Sequence, residues 1–128
     1  MISQTQYTYT VDVELDWGGR TNDTKGIKKG IPIILKAFKQ AQIKALFFIS
    51  TELMEPFPRL AQEIKESGHS IGSHGHFHVS YKELWRSQKD RELSEKLLAP
   101  YKSVPEETLQ YRAPKFHFKV SGQLYSDR

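Results

Sequence analysis

Residues 44–50 read KALFFIS, and the five side chains from Ala45 to Ile49 are apolar without a break. A strand with one wet face alternates apolar and polar residues. An unbroken apolar run of this length belongs to a strand covered on both faces, as in a parallel sheet flanked by helices. The segments on either side fit that reading. Upstream, Gly26 to Gln42 carries Ile27, Ile31, Ile34, Leu35 and Phe38 at helical spacing, with lysines between them. Before it, the loop WGGRTNDTKG follows YTYTVDVEL, an alternating stretch rich in β-branched and aromatic residues that predicts a first strand.

Downstream, Pro56 is placed to open a helix whose inner face is Phe57, Leu60, Ala61 and Ile64, with Gly68 as its terminating residue. SIGSH then reads as a third short strand. A polar helix over Tyr81–Leu98 follows, with Tyr81, Leu84, Trp85, Leu93 and Leu97 as its apolar stripe. Pro100 and Pro105 bracket a connection to a fourth strand near LQYRAP. Strands and helices alternate throughout, so the fold class is α/β, with parallel strands joined by right-handed crossovers. At 128 residues the chain is expected to be a single domain spanning 1–128.

Composition excludes several functions. With no cysteine, neither disulfides nor thiolate metal sites are possible. The net charge of +4 comes from scattered lysines, which suggests a solvated surface rather than a nucleic-acid patch, and it tolerates an anionic substrate. No apolar run approaches the roughly 20 residues of a membrane span, and MISQTQYTYT lacks a signal-peptide core, so a soluble cytoplasmic protein is expected.

The chemistry collects at one edge. Asp12, Glu14, His74, His78 and Arg112 all fall at or just past the C-terminal ends of predicted strands, where α/β folds build their sites. His74 and His78 are four residues apart, a spacing that lets two imidazoles meet one ion. Positions 12, 14 and 16 share a strand face, and three acids there are unfavourable unless a cation is present or a proton is retained. Two histidines and one carboxylate leave coordination positions open, as a catalytic metal requires. Gly75 stands where a zincin peptidase needs glutamate, and the H-x-[D/E] order of a non-haem iron oxygenase is absent. His69, after Gly68, suits a local structural role; His76 should point away from the ion; His117 is an alternating strand or loop residue. Trp17 and Tyr111 suit either the core or a sugar platform.

These residues resemble the polysaccharide deacetylases of the NodB-homology type, carbohydrate esterase family 4. TVDVELDW is similar to that family's acidic first motif. His74-Gly75-His76-Phe77-His78 resembles its H-[S/T]-x-x-H, and Arg112-Ala113-Pro114 its R-x-P. The resemblance implies a distorted (β/α) barrel, of which this chain is the N-terminal half. It implies a divalent metal, zinc before cobalt, held by Glu14, His74 and His78, with Asp12 as general base and Arg112 orienting it. Trp17, Tyr111 and Pro114 would line the groove for an N-acetylated carbohydrate, whose acetyl group is hydrolysed. Three departures stand out: Gly75 replaces Ser or Thr, Glu14 is longer than aspartate, and the later Asp-Trp and Leu-x-His motifs are missing. A half barrel exposes an edge and an apolar inner face, so a homo-oligomer is expected. The alternative is a non-catalytic remnant that binds metal or carbohydrate without turnover.

Overall fold

A computed structural model describes residues 9–15, 24–102 and 111–112, together with the backbone of 117–120 and 123–126. Its main sheet has three parallel strands in the order β1 (Tyr9–Val13), β2 (Ala45–Ile49), β3 (Ser70–Ser73). The helices are α1 (Ile31–Ala41), α2 (Leu60–Glu66) and α3 (Leu84–Leu98). An isolated parallel bridge from Ser73 to Tyr111 marks where the chain returns beside β3, at the expected fourth strand. Beyond it, β4 (His117–Val120) and β5 (Gln123–Ser126) form an antiparallel hairpin. This hairpin is an addition to the alternating order read from the sequence.

The sheet pleat sorts side chains onto two faces. Val13, Ala45, Phe47, Ile49 and Ile71 are buried with Ile27, Ile31, Leu60, Ala61, Ile64 and Leu98 in one core, and Ile34, Leu35, Phe38 and Phe57 pack against it. The predicted apolar faces of the first two helices are therefore the buried ones. Phe48, on the other face of β2, is also buried.

Two helix starts differ from expectation. The chain from Gly26 to Gly30 is a π-helical turn, in which the Ile31 N–H reaches Gly26 O. The next residue, Pro32, has no N–H with which to continue the tighter ladder. Instead of starting at Pro56, the second helix follows a 3₁₀ turn over Thr51–Met54 and begins at Leu60. Gly68 does end it, at φ +89°, a conformation L side chains rarely adopt.

α3 carries the larger correction. Its buried residues are Asp90, Ser94 and Leu98, whereas Trp85, Leu93 and Leu97 of the expected stripe are exposed. Hydrogen bonds of Asp90 to the preceding loop and of Ser94 to Ser73 of β3, with Leu98 in the apolar core, set which way this helix faces.

Candidate metal centre

The parallel ladder runs one step past the ends of its strands. Ser50 N–H donates to Val13 O at 2.9 Å, His74 N–H to Ile49 O at 3.0 Å, and Arg112 N–H to Ser73 O at 2.8 Å. That step sets Glu14, Ser50, His74 and Arg112 side by side at the C-terminal edge. Strand alternation puts them on the face opposite the helix-covered core, together with Asp12, which pairs in register with Phe48.

Glu14, His74 and His78 bring one potential ligand atom each within 4.8 Å of one another. His78 Nε2 and Glu14 Oε2 are in direct contact, and the His74 and His78 rings are 4.9 Å apart, centroid to centroid. His74 is 2% exposed, and its Nδ1 is 2.7 Å from Arg112 O. Only a protonated Nδ1 can donate to a carbonyl, so Nε2 is left as the lone-pair nitrogen facing the cluster. Burial pushes this imidazole's pKa below its usual value, against the opposing pull of the Arg112 carbonyl and the Asp12 carboxylate. A neutral imidazole is the form that ligates a cation. His78 Nδ1 is buried without a hydrogen-bond partner among the described residues. The donor set is thus two imidazoles and a carboxylate, which suits zinc and related divalent ions.

Beside it sits Asp12. Arg112 Nη1 donates to Asp12 Oδ1 at 2.8 Å and Nη2 to Thr10 Oγ1 at 3.0 Å, while the guanidinium lies 4.4 Å over the Phe48 ring. One residue therefore orients Asp12 with its side chain and His74 with its carbonyl.

Other expectations resolve individually. His69 is buried and accepts the Ala45 N–H at Nδ1, 3.0 Å, so its role is structural. His76 Nδ1 pairs with Thr51 Oγ1 at 2.9 Å, away from the cluster. Tyr111 does not join the site face. It alternates with Arg112, and its ring lies 4.2 Å from the Arg91 guanidinium of α3. Burial, opposed by Arg91, pushes its hydroxyl up to about 12. Of the two readings open for it, core or sugar platform, its place against Arg91 of α3 favours the first. Asp16, Trp17 and Pro114 lie outside the described residues.

Sequence reasoning missed the residues that hold the histidine loop. Asp90 accepts the His76 and Phe77 N–H groups, at 2.9 and 3.1 Å, and Glu52 accepts the His78 N–H at 3.1 Å. The Ser73 hydroxyl receives the Gly75 N–H at 3.1 Å and pairs with the Ser94 hydroxyl at 2.7 Å. That hydroxyl braces the loop from two residues before position 75, where the resemblance places one. Ser50 Oγ, buried at the same edge, has no hydrogen-bond partner among the described residues. No motif spacing signals these contacts, although an aspartate on the inner side of a helix could have raised the question.

A parallel α/β sheet thus carries at its C-terminal edge a carboxylate and two imidazoles that could together hold a metal ion. A sequence model of the family described as "Polysaccharide deacetylase" matches residues 21–119, and the chain belongs to that family. His74, His78 and Arg112 lie inside the matched stretch; Asp12 and Glu14 precede it. A peptidoglycan-N-acetylglucosamine deacetylase of Bacillus cereus is 43% identical over 47 residues, which is 37% of this chain and 17% of that protein. A CE4 family pseudoenzyme from Bacillus anthracis superimposes at a TM-score of 0.64 with 19% identity, covering 88% of this chain and 36% of that one. A family 4 carbohydrate esterase from Streptomyces lividans, in complex with acetate, gives 0.60 with 14% identity, covering 84% and 50%. These folds place the sheet within a (β/α) barrel of the NodB type, and the chain spans half or less of each relative.

Proposed function

We propose that this chain forms the metal-binding part of a deacetylase domain that hydrolyses the N-acetyl group of an N-acetylated sugar or polysaccharide. Glu14, His74 and His78 hold a divalent ion, zinc by preference for this donor set. The observation that carries the reading is the convergence of those three residues beside a guanidinium-oriented aspartate. When bound, such an ion polarises an amide carbonyl and acidifies water. Asp12 accepts the water's proton at Oδ2, because Oδ1 is engaged by Arg112. The Arg112 carbonyl keeps His74 in the ligating tautomer.

Among the described residues no helix is long and apolar enough to cross a membrane. Exposed Tyr9, Ile33, Trp85, Leu93 and Leu97 support self-association of copies of the chain. A single monomer mass by sedimentation at micromolar concentration would count against that.

The test is elemental analysis after dialysis, paired with acetate release from N-acetylated oligosaccharides. Wild type should retain about one zinc per chain and release acetate. His78→Ala should lose both, and Asp12→Asn should keep the metal but lose turnover. Zinc retained by wild type with no acetate released favours the second reading, a binding domain without turnover. The Bacillus anthracis relative, a CE4 family pseudoenzyme, gives that reading its weight. No zinc retained would refute the metal site.

A further inference from the structure

His74 and His78 can share an ion only if the three residues between them hold one conformation. Little in the segment itself enforces this, since Gly75 sits at φ +81° and Phe77 is exposed. The restraint comes from elsewhere in the chain. Asp90 Oδ2 accepts the His76 N–H at 2.9 Å, and its Oδ1 accepts the Phe77 N–H at 3.1 Å and the Tyr81 hydroxyl at 2.9 Å. Glu52 Oε2 accepts the His78 N–H at 3.1 Å, while the Glu52 N–H donates to His76 O at 2.9 Å and the Thr51 N–H to Gly75 O at 3.0 Å. Three successive amides of the ligand loop thus end on two carboxylates, a nest of N–H groups wrapped around acids.

Asp90 is only 9% exposed, on a helix face where leucine would bury more cheaply. Removing a carboxylate from water costs several kcal/mol unless hydrogen bonds replace the lost hydration. Here the loop amides replace it, and in return the loop is fixed. Fixing a residue's backbone costs conformational entropy. A loop ordered during folding does not charge that cost to ligand binding.

We propose that Asp90 and Glu52 are positioning residues that set the affinity of the Glu14–His74–His78 centre for a divalent ion without touching it. This rests on the metal-site reading above. Both act through the main chain of residues 76–78. Tyr81 completes the clamp; burial and its bond to Asp90 push its hydroxyl up to about 12, so it remains a donor at working pH.

The experiment measures zinc affinity by competition with a chromophoric chelator, and the visible spectrum of the cobalt-loaded protein. The set is wild type, Asp90→Asn, Glu52→Ala and His78→Ala, each apoprotein first shown folded by circular dichroism. Asp90→Asn keeps the volume but sets an NH₂ against loop donors. Its zinc affinity should fall about 10–100-fold, and Glu52→Ala about tenfold, the range for partners of metal ligands. The cobalt bands of both should move from wild type. A purely structural role would lower stability and leave the loaded spectrum unchanged. If Asp90→Asn does not fold, Glu52→Ala, at a less buried position, decides the matter. Zinc affinity and cobalt bands equal to wild type in the folded variants, with His78→Ala binding no zinc, overturn this inference alone. Wild type that takes up no zinc overturns the metal reading and this inference with it.

Discussion

Arg112→Lys separates the two tasks carried by one residue. Its main-chain contacts, the N–H to Ser73 O and the carbonyl to His74 Nδ1, survive any substitution that keeps the strand. Its side-chain contacts do not. An ammonium can still reach Asp12 as a point charge, but it loses the second prong to Thr10 and the planar stacking on Phe48. A hydrogen bond to a neutral acceptor is worth about 0.5–1.5 kcal/mol net, and a partly exposed cation–π contact about 0.5–1 kcal/mol. With the Arg112 side chain 26% exposed, solvent recovers part of this, so the lower half of the sum, about 1–1.8 kcal/mol, is expected. If that energy serves to hold Asp12, acetate release at saturating substrate should fall about 5–20-fold. Zinc affinity, measured by chelator competition, should not change, because the carbonyl that orients His74 is still in place. A zinc affinity that falls in step with the rate would refute this division of labour. So would a variant as fast as wild type.

Three further outcomes follow from the same geometry. Gly75→Ala forces an L side chain to φ +81°; it should cost about 1–2 kcal/mol in urea unfolding and weaken zinc binding, and an unchanged urea midpoint would show that the loop relaxes. Ser73→Ala strips the Gly75 N–H and the Ser94 hydroxyl of their shared partner. It should cost about 1–3 kcal/mol per orphaned group, and adding Ser94→Ala should cost less than its effect alone; strict additivity in that cycle would mean the two hydroxyls are not coupled. The third concerns acid. Burial first, and Lys44 second, hold the His69 pKa below its ordinary value, so the unfolded chain takes up this proton before the folded one. Its contribution to stability is intact above about pH 6.5 and declines as pH falls from there toward the lowered folded pKa. His69→Gln, whose amide oxygen can still accept the Ala45 N–H, should flatten that part of the urea-midpoint profile. An identical slope would place the titration elsewhere.

Much of this architecture was legible from residue order. The apolar run at 45–49, the helical spacing after Gly26 and the stop at Gly68 are local patterns, and local patterns set the strands and first helices. The ligand candidates were legible because parallel topology brings strand ends together whatever their distance in sequence. α3 was misread because periodicity weighs apolar residues. Asp90 and Ser94 turn inward to meet N–H and hydroxyl groups of a loop that no helical window contains. Tyr111 was left open between core and sugar platform for a related reason: adjacent extended residues serve opposite faces, and its motif neighbour Arg112 occupies the site face. Glu52 sits in a 3₁₀ turn whose existence depended on where the second helix began.

The bond between Arg112 and Asp12 joins residues 100 positions apart. Closing so long a loop costs entropy that must be met before any local reward arrives. Strand pairing from β1 to β3 must be in register before the guanidinium can find its acid, so no early, partly folded form can own this centre. The centre is accordingly a reporter of completed folding. If the proposed ion binds there, it would stabilise only the finished sheet, by mass action, and its uptake during refolding would time the docking of the segment that carries Arg112.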